Sequence, residues 1–188
     1  MGDNAPKRRT LARFIHGPGR LLEIGCATGN VASAFEGLSY VGVDIDRQAI
    51  SLARRKFPAT NYRFHCLDIL AEELPEEPGF DYVLLSHAAH HLPDEYLCKL
   101  LRRSAELLNE GGSLVVLDMI RPEPDEPRSK QFFYRLDRGT HFRNLEEFRE
   151  VFSRETKLEE PEFHVIEMRK MGIEIIDDVV ILAKKRLS

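Results

Sequence analysis

Residues that could bind a nucleoside stand directly after the first two short apolar segments of the chain. After the first segment, Glu23 is followed by Gly25 and Gly29. Gly25 can turn tightly and let the backbone approach a ligand, and Gly29 allows close packing where a helix starts. Asp44 stands after the second segment, nineteen residues beyond Gly25. A carboxylate at this place can accept hydrogen bonds from the diol of a ribose.

An acid and an apolar residue, Asp68 and Ile69, follow the third apolar segment. This pair could bind the amino group and the ring face of an adenine. The spacing G-x-x-x-G at Gly25 and Gly29 differs from G-x-G-x-x-G, the sequence that cradles the pyrophosphate of a dinucleotide. The residues therefore predict a nucleoside ligand that lacks a pyrophosphate.

Alternating strands and helices must position these residues. Short apolar runs that end at turn residues predict strands, and apolar side chains at helical spacing predict helices. Strands are predicted at 20–24, 40–43, 61–65, 80–85 and 113–119, helices at 31–35, 46–57, 93–108 and 145–152, a turn at 109–112, and a terminal hairpin at 163–168 and 175–183 with its turn near Gly172. The alternation predicts an α/β fold: a doubly wound, mostly parallel, seven-stranded Rossmann-like sheet with helices on both faces and a C-terminal antiparallel hairpin. Ligands of such sheets bind outside the carboxyl ends of the strands, which is where the residues above stand.

Length and composition limit what else the chain can be. Its 188 residues predict a single domain, 1–188, and its 43% of hydrophobic residues are enough for a core. The net charge of −4 argues against nucleic acid as a partner. No apolar run reaches the length of a membrane span and no signal peptide is found, which predicts a cytoplasmic protein without a membrane partner. Cys26, Cys66 and Cys98 lie far apart and are expected to be reduced thiols, and nothing in the sequence indicates an oligomeric state.

Five sequence motifs resemble those of the class I S-adenosylmethionine-dependent methyltransferases. They are LLEIGCATG, GVDID, CLDIL, FDYVLLSHAAHHL and LNEGGSLVVLDM, in the order that the family has them, and they cover residues 20–119. The resemblance implies a methyltransferase enzyme with S-adenosyl-L-methionine as its cofactor. It implies that the cofactor is bound by Glu23, Gly25, Cys26, Ala27, Gly29, Asp44, Ile45, Asp68, Ile69 and Ser86. Ala27 departs from the family, which most often has glycine at that position.

The family pattern also implies which part of the cofactor most of these residues hold. Glu23 and the glycine-containing loop would hold the methionine end, Asp44 the ribose and Asp68 the adenine amine. Two isoleucines, Ile45 and Ile69, would lie against the faces of the adenine.

Histidines after the fourth strand are the candidate bases. Methyl transfer from a sulfonium is an in-line displacement, so a general base matters only when the acceptor is still protonated. His87, His90 and His141 are predicted to be catalytic, since His87 or His90 could deprotonate a hydroxyl and His141 arrives from a later connection. His91 is expected to pack against or cap the helix that starts at Pro93. No metal is predicted, because no carboxylate accompanies these histidines in the sequence.

Two basic segments are expected to flank the acceptor: an N-terminal helix or lid at 1–19 and a substrate-side connection at 121–144. The predicted substrate-binding residues are Phe133, Tyr134, Arg138, His141 and Arg143. The arginines could clamp a carboxylate or a phosphate, and the aromatic rings could form apolar walls. Relatives that methylate nucleobase or amide nitrogens often carry Asn-Pro-Pro-aromatic or Asp-Pro-Pro-aromatic after strand four, and this chain does not. The predicted acceptor is therefore a small, anionic or hydroxylated molecule, with O-methylation favoured.

Other functions stay open at this point. An RNA or protein methyltransferase can lack that proline motif as well. A noncatalytic protein that binds S-adenosylmethionine or scaffolds a partner would have the same fold. A nicotinamide-dependent oxidoreductase is disfavoured, because both G-x-G-x-x-G and a Tyr-x-x-x-Lys pair are missing.

Overall fold

The computed structural model describes residues 5–58, 61–137, 139–170 and 173–187. Its α-helices are α1 (Ala5–Leu11), α2 (Arg47–Lys56), α3 (Asp94–Leu107), α4 (Arg128–Leu136) and α5 (Leu145–Ser153), and two short 3₁₀ helices lie at Ala32–Phe35 and Ala89–His91. The strands are β1 (Arg20–Ile24), β2 (Ser39–Asp44), β3 (Tyr62–Cys66), β4 (Phe80–Ser86), β5 (Leu108–Met119), β6 (Glu162–Ile166), β7 (Arg169–Lys170), β8 (Ile173–Glu174) and β9 (Asp178–Lys184). None of the helices among these residues is long and apolar enough to cross a membrane.

Seven strands form one sheet in the order β3-β2-β1-β4-β5-β9-β6. Neighbours from β3 to β5 are parallel, whereas β9 runs antiparallel to both β5 and β6. The predicted fold class is therefore confirmed, with β9 as the antiparallel strand of the sheet. The strand order reverses between β1 and β4, and in doubly wound sheets such a reversal opens a crevice for a ligand at the carboxyl ends of the two strands.

Helices cover both faces of the sheet, which explains the nearly continuous apolar character of its strands. On one face, α3 and α5 pack against residues such as Val83 and Leu85. On the other face, α1, α2 and the first 3₁₀ helix pack against residues such as Leu84 and Val115. Because both faces are covered with apolar side chains, polar side chains can gather only at the strand ends.

Most helix and strand boundaries follow the sequence, and α4 is an additional helix within the connection expected at 121–144. Asp46 caps α2: its carboxylate accepts hydrogen bonds from the backbone N–H groups of Gln48 (2.8 Å) and Ala49 (3.1 Å). The segment predicted as a helix at 31–35 is a single 3₁₀ turn. The segment predicted as a turn at 109–112 lies within β5, where the register with β4 shifts between Leu108 and Ser113 and Gly111 adopts φ +72°. The hairpin turn expected near Gly172 lies outside the described residues.

Candidate functional site

A cavity of about 510 Å³ opens at the carboxyl ends of the parallel strands. Six of the predicted cofactor residues line it: Gly25, Ala27, Asp44, Ile45, Asp68 and Ile69. They come from the loops after β1, β2 and β3, which the parallel sheet brings to one edge. The volume lies within the range of roughly 300–1,000 Å³ that is typical of ligand pockets. The cavity therefore has the position and the size of a nucleoside site.

Asp44 holds the loop after β1 in place. Its carboxylate accepts hydrogen bonds from the backbone N–H of Ala27 (2.8 Å) and from that of Asp46 (2.9 Å). Gly25 adopts φ +76°, and a Cβ there would lie 3.3 Å from the Cβ of Ala88. Because a carboxylate has about four lone-pair sites, Asp44 can hold this loop and also accept hydrogen bonds from a ribose.

Two strained residues lie in the wall of the cavity. Among the described residues, Ala27 (φ +46°) and His87 (φ +52°) are the non-glycine residues with positive φ. Such backbone conformations cost on the order of 1–3 kcal/mol and cluster at ligand sites. Ala27 stands where the resembled family most often has glycine, which adopts this conformation without the steric penalty. Strain at two positions around one cavity supports its assignment as a binding site.

Four predicted cofactor residues do not line the cavity: Glu23, Cys26, Gly29 and Ser86. Burial raises the pKa of the Cys26 thiol well above its ordinary value, so this thiol is a packing residue. A Cβ on Gly29 would lie 2.8 Å from the ring of Phe57, which explains the glycine by packing. Ser86 is the last residue of β4.

Glu23 packs against Tyr40 in the core that α1 and α2 cover. It is 3% exposed, and its carboxylate accepts a hydrogen bond from the Tyr40 hydroxyl. Burial raises the pKa of Glu23 to about 8, with a smaller contribution from the negative charge of Asp44 and against the effect of the Tyr40 hydrogen bond. In this structure Glu23 is therefore a buried carboxyl group that holds its proton at neutral pH.

Replacing Glu23 by glutamine is expected to remove the loss of stability that the wild type shows as the pH rises from about 5 to about 8. An unfolded chain releases this proton near pH 4.5, whereas the folded chain keeps it up to about pH 8. Between these values the folded state binds more protons, so the unfolding free energy of the wild type falls as pH rises, by up to about 1.4 kcal/mol per pH unit. The melting temperature of E23Q relative to wild type should rise from about pH 5 to about pH 8 and then level off. The exposed Glu36→Gln is the control, and parallel pH curves for E23Q and wild type would contradict the prediction.

His87 lies in the wall of the cavity. Its Nε2 is buried, has no hydrogen-bond partner among the described residues and lies 3.5 Å from Oδ2 of Asp178. Its backbone N–H donates to the carbonyl of Leu117 (2.7 Å), which fixes the residue to the end of β5. Of the three predicted catalytic histidines, all of them described by the structure, His87 is the one that lines the cavity.

His90 is enclosed by protein. Its Nδ1 forms a close hydrogen bond with the carboxylate of Asp118, and its Nε2 lies 3.5 Å from Oδ1 of Asp137. The ring stacks on Phe142 at 5.0 Å between centroids, and a Cβ on Gly139 would lie 2.3 Å from its Cδ2. The geometry therefore gives His90 a packing role and does not support the predicted catalytic one, because both ring nitrogens already face carboxylates of the protein.

Asp118 is the buried anchor for this part of the fold. Its carboxylate accepts hydrogen bonds from the backbone N–H groups of Ala89, His90 and Met119, and from the His90 ring. Burial alone would raise the pKa of Asp118, but the hydrogen bond from His90, the charges of His90 and His87 and the Met119 N–H outweigh it, so the pKa is lowered. Asp118 thereby joins the end of β5 to the segment after β4.

Arg143 is also used inside the protein, in contrast to its predicted role in substrate binding. It is 3% exposed. Its Nε and Nη2 donate to the Asp94 carboxylate, Nη2 also donates to the carbonyl of Leu92, and Nη1 donates to the carbonyls of Ala89 and His141. A guanidinium has five N–H donors, so none is left for an anionic substrate.

The other predicted substrate residues differ in their location and in their burial. Arg138 lies outside the described residues. His141 is partly buried, and its described hydrogen bonds are made by its backbone, whose N–H donates to the His90 carbonyl at 2.9 Å. Tyr134 packs edge-on against Phe142 at 4.8 Å, and the half-buried Phe133 lies beside it on α4. The two aromatic residues can still wall an acceptor site.

Sequence reasoning missed several residues of the site. His91, expected to pack or cap, is exposed and lines the cavity together with Leu92, Tyr96 and Leu100. The expectation that no carboxylate accompanies the histidines was wrong, because later strands bring Asp118 and Asp178 to them. Acids within otherwise apolar strands are the signal that could have found both. In the described part of the chain, no group of three or more potential ligands is arranged to hold a metal ion.

Comparison with known proteins agrees with this geometry. A family model described as a methyltransferase domain matches residues 22–114. An uncharacterized methyltransferase of Bacillus mycoides is 29% identical over 109 residues, which are 57% of this chain and 50% of that protein. The matched region thus spans about half the length of this curated relative.

Solved structures share the fold over nearly the whole chain. A SAM-dependent methyltransferase from Methanosarcina mazei superposes with a TM-score of 0.73 at 16% identity, covering 95% of this chain and 98% of that one. Phosphoethanolamine N-methyltransferase 2 of Haemonchus contortus, solved with phosphomonomethylethanolamine and S-adenosylhomocysteine, superposes with a TM-score of 0.75 at 17% identity, covering 97% of this chain and 53% of that one. At these identities the likeness concerns the fold.

Proposed function

Because this chain belongs to the class I S-adenosylmethionine-dependent methyltransferase family, we propose that it transfers a methyl group from S-adenosylmethionine to a small-molecule acceptor at the His87 end of the cavity. The observation that carries the proposal is the lining of the cavity: residues from three strand ends face one space, and His87 joins them. A cytoplasmic location is part of the same proposal and rests on the sequence.

The residues of the cavity fit the cofactor. Oδ1 of Asp68 accepts a hydrogen bond from the backbone N–H of Leu70 (2.9 Å), and a second oxygen of the same carboxylate can accept from an adenine amine. Ile45 is 76% exposed, which is a high value for a large apolar side chain and leaves a face for an aromatic ring. Asp44 offers lone pairs to ribose hydroxyls. Each part of the nucleoside thus has a partner of suitable chemistry.

The proposed chemistry divides between the cofactor and the chain. A bound S-adenosylmethionine supplies a methyl group on positively charged sulfur. The chain aligns the acceptor with that group, excludes water and accepts a proton at Nε2 of His87. Alignment supplies much of the rate of an in-line displacement, and a well-placed base adds about 10²–10⁴-fold when the acceptor is protonated.

The charges of the site favour a different class of acceptor from the anionic one that the sequence predicted. An anionic acceptor loses the support of Arg143, because its guanidinium is fully bonded within the protein. A hydroxyl or an amine that must lose a proton suits the unpaired Nε2 of His87. That the Haemonchus contortus enzyme was solved with phosphomonomethylethanolamine supports an acceptor of small size.

Binding of S-adenosylhomocysteine tests the proposed function. It should raise the melting temperature of the wild type, whereas NADH should not. Asp44→Ala and Asp68→Ala each remove hydrogen bonds to the nucleoside, so the dissociation constant should rise by about 10–100-fold in each variant, measured by calorimetry.

Asp46→Ala is the matched control for these variants. It removes the cap of α2 and should lower stability by about 1 kcal/mol while leaving the dissociation constant within a factor of about three. Stabilisation by NADH, or no response to S-adenosylhomocysteine, would overturn the proposed function.

A further inference from the structure

The acceptor end of the site carries an excess of negative charge. Oδ2 of Asp178 lies 3.5 Å from Nε2 of His87, and Oδ1 of Asp137 lies 3.5 Å from Nε2 of His90. The Asp178 side chain is only 7% exposed, whereas that of Asp137 is 32% exposed. A buried carboxylate without a cation in contact is costly, so this end of the site favours a positively charged partner.

Two cations of the substrate-side connection do not supply that partner. The guanidinium of Arg143 is bonded to Asp94 and to backbone carbonyls. The ammonium group of Lys130 binds Glu126 and Asp177, both at 2.6 Å. These two residues hold α4 and the segment after it in place, and their charges are already matched.

The hydrogen-bonding groups at this end also suit a donor with several N–H groups. Nε2 of His87 has no described partner, and the carboxylate of Asp178 lies beside it. An ammonium group has three N–H donors and can bind both at once, whereas a hydroxyl has a single hydrogen and can bind one. Phe142 and Tyr134 pack against each other near His90 and supply an apolar wall for the rest of the molecule.

We propose that the acceptor of this chain is an amine with an apolar body, which enters as the ammonium ion with Asp178 and Asp137 as counterions. This proposal rests on the proposed function and names the acceptor class. The ammonium gives a proton to Nε2 of His87, the freed nitrogen lone pair forms the bond to the methyl carbon, and the breaking carbon–sulfur bond leaves its electron pair on sulfur. The products are the methylated amine, S-adenosylhomocysteine and a proton.

Three probes with one ring and different charge test the proposal: tyramine, para-hydroxyphenylacetate and para-ethylphenol. Their binding is measured by calorimetry with S-adenosylhomocysteine at saturation. Tyramine should bind to the wild type about tenfold more tightly than either other probe. Equal binding of the three, or preferred binding of para-hydroxyphenylacetate, would overturn the proposal.

Substitutions of the acids test the counterions. Asp178→Asn should abolish the preference for tyramine over para-ethylphenol. Asp137→Asn, at a more exposed position that tolerates change, should reduce the preference by about two- to fivefold. An unchanged preference in Asp137→Asn and in a folded Asp178→Asn would contradict the proposal. Failure of S-adenosylhomocysteine to bind would instead point to the proposed function, so the two failures are distinguishable.

Discussion

Replacing His87 by asparagine is expected to lower kcat/KM for methyl transfer by about 100- to 10,000-fold, with the dissociation constant of S-adenosylhomocysteine nearly unchanged. The substitution removes Nε2, the proposed base, which is buried and has no described hydrogen-bond partner within the protein. Asparagine tolerates the left-handed backbone conformation of this position (φ +52°), so the loop should keep its shape. Release of S-adenosylhomocysteine is the measurement, with the best-binding amine probe as acceptor.

Variants of two other histidines distinguish an effect on methyl transfer from an effect on stability. His65→Asn is the control for activity, because His65 pairs with Glu76 at 3.1 Å and does not line the cavity. His90→Asn should lower the melting temperature, since it breaks the pair with the buried Asp118, at a cost of about 3–5 kcal/mol. A folded His87→Asn variant with wild-type turnover would show that His87 is not the base.

Replacing Arg143 by methionine is expected to lower the free energy of unfolding by about 3–5 kcal/mol, because it removes a buried guanidinium that donates to three backbone carbonyls, and each buried acceptor left without its donor costs about 1–3 kcal/mol. The Asp94 carboxylate, which is 51% exposed, contributes little to this loss. The change leaves the Asp94 carboxylate and three backbone carbonyls without their donor. For a domain of this size each kcal/mol corresponds to about 2–4 °C, so the melting temperature should fall by roughly 6–20 °C. Thermal unfolding with and without S-adenosylhomocysteine measures the effect.

Arg102→Met is the matched control, because the Arg102 side chain is 67% exposed and its pair with Glu155 is 3.6 Å long. It should change the free energy of unfolding by less than about 1 kcal/mol. Arg143→Lys keeps the charge but cannot reproduce the planar fork, so it should recover only part of the lost stability. If Arg143→Met melts like the wild type and weakens binding of anionic molecules, Arg143 binds substrate as the sequence suggested.

The predicted residues that the structure brings together in one cavity are those at single strand ends. The polarity of each strand and the residue after it are local properties, visible as an apolar run followed by Gly25, Asp44 or Asp68. Parallel pairing then brings these ends to one edge without further information. This is why the loops after β1, β2 and β3 supply six of the predicted residues in the wall of the cavity.

The histidines show where prediction from sequence reached its limit. His87 and His90 are separated by two residues and have the same chemistry, so no local pattern could rank them. Their different roles depend on Asp118 in β5 and on Asp178 in β9, which are far away in the sequence. Gly139 and Phe142 close over His90 and leave His87 at the cavity.

By itself, the sequence determined the family and the fold class and predicted where a cofactor would bind, because these depend on periodicity and on short motifs within each strand and loop. The tertiary structure alone decided the surroundings of the histidines and of Arg143. It paired Arg143 with Asp94 and backbone carbonyls and placed Asp178 beside His87. The physical reason is that hydrogen bonds and burial are set by residues that meet only when the chain is packed, so a basic segment in the sequence does not have to be a basic surface in the fold.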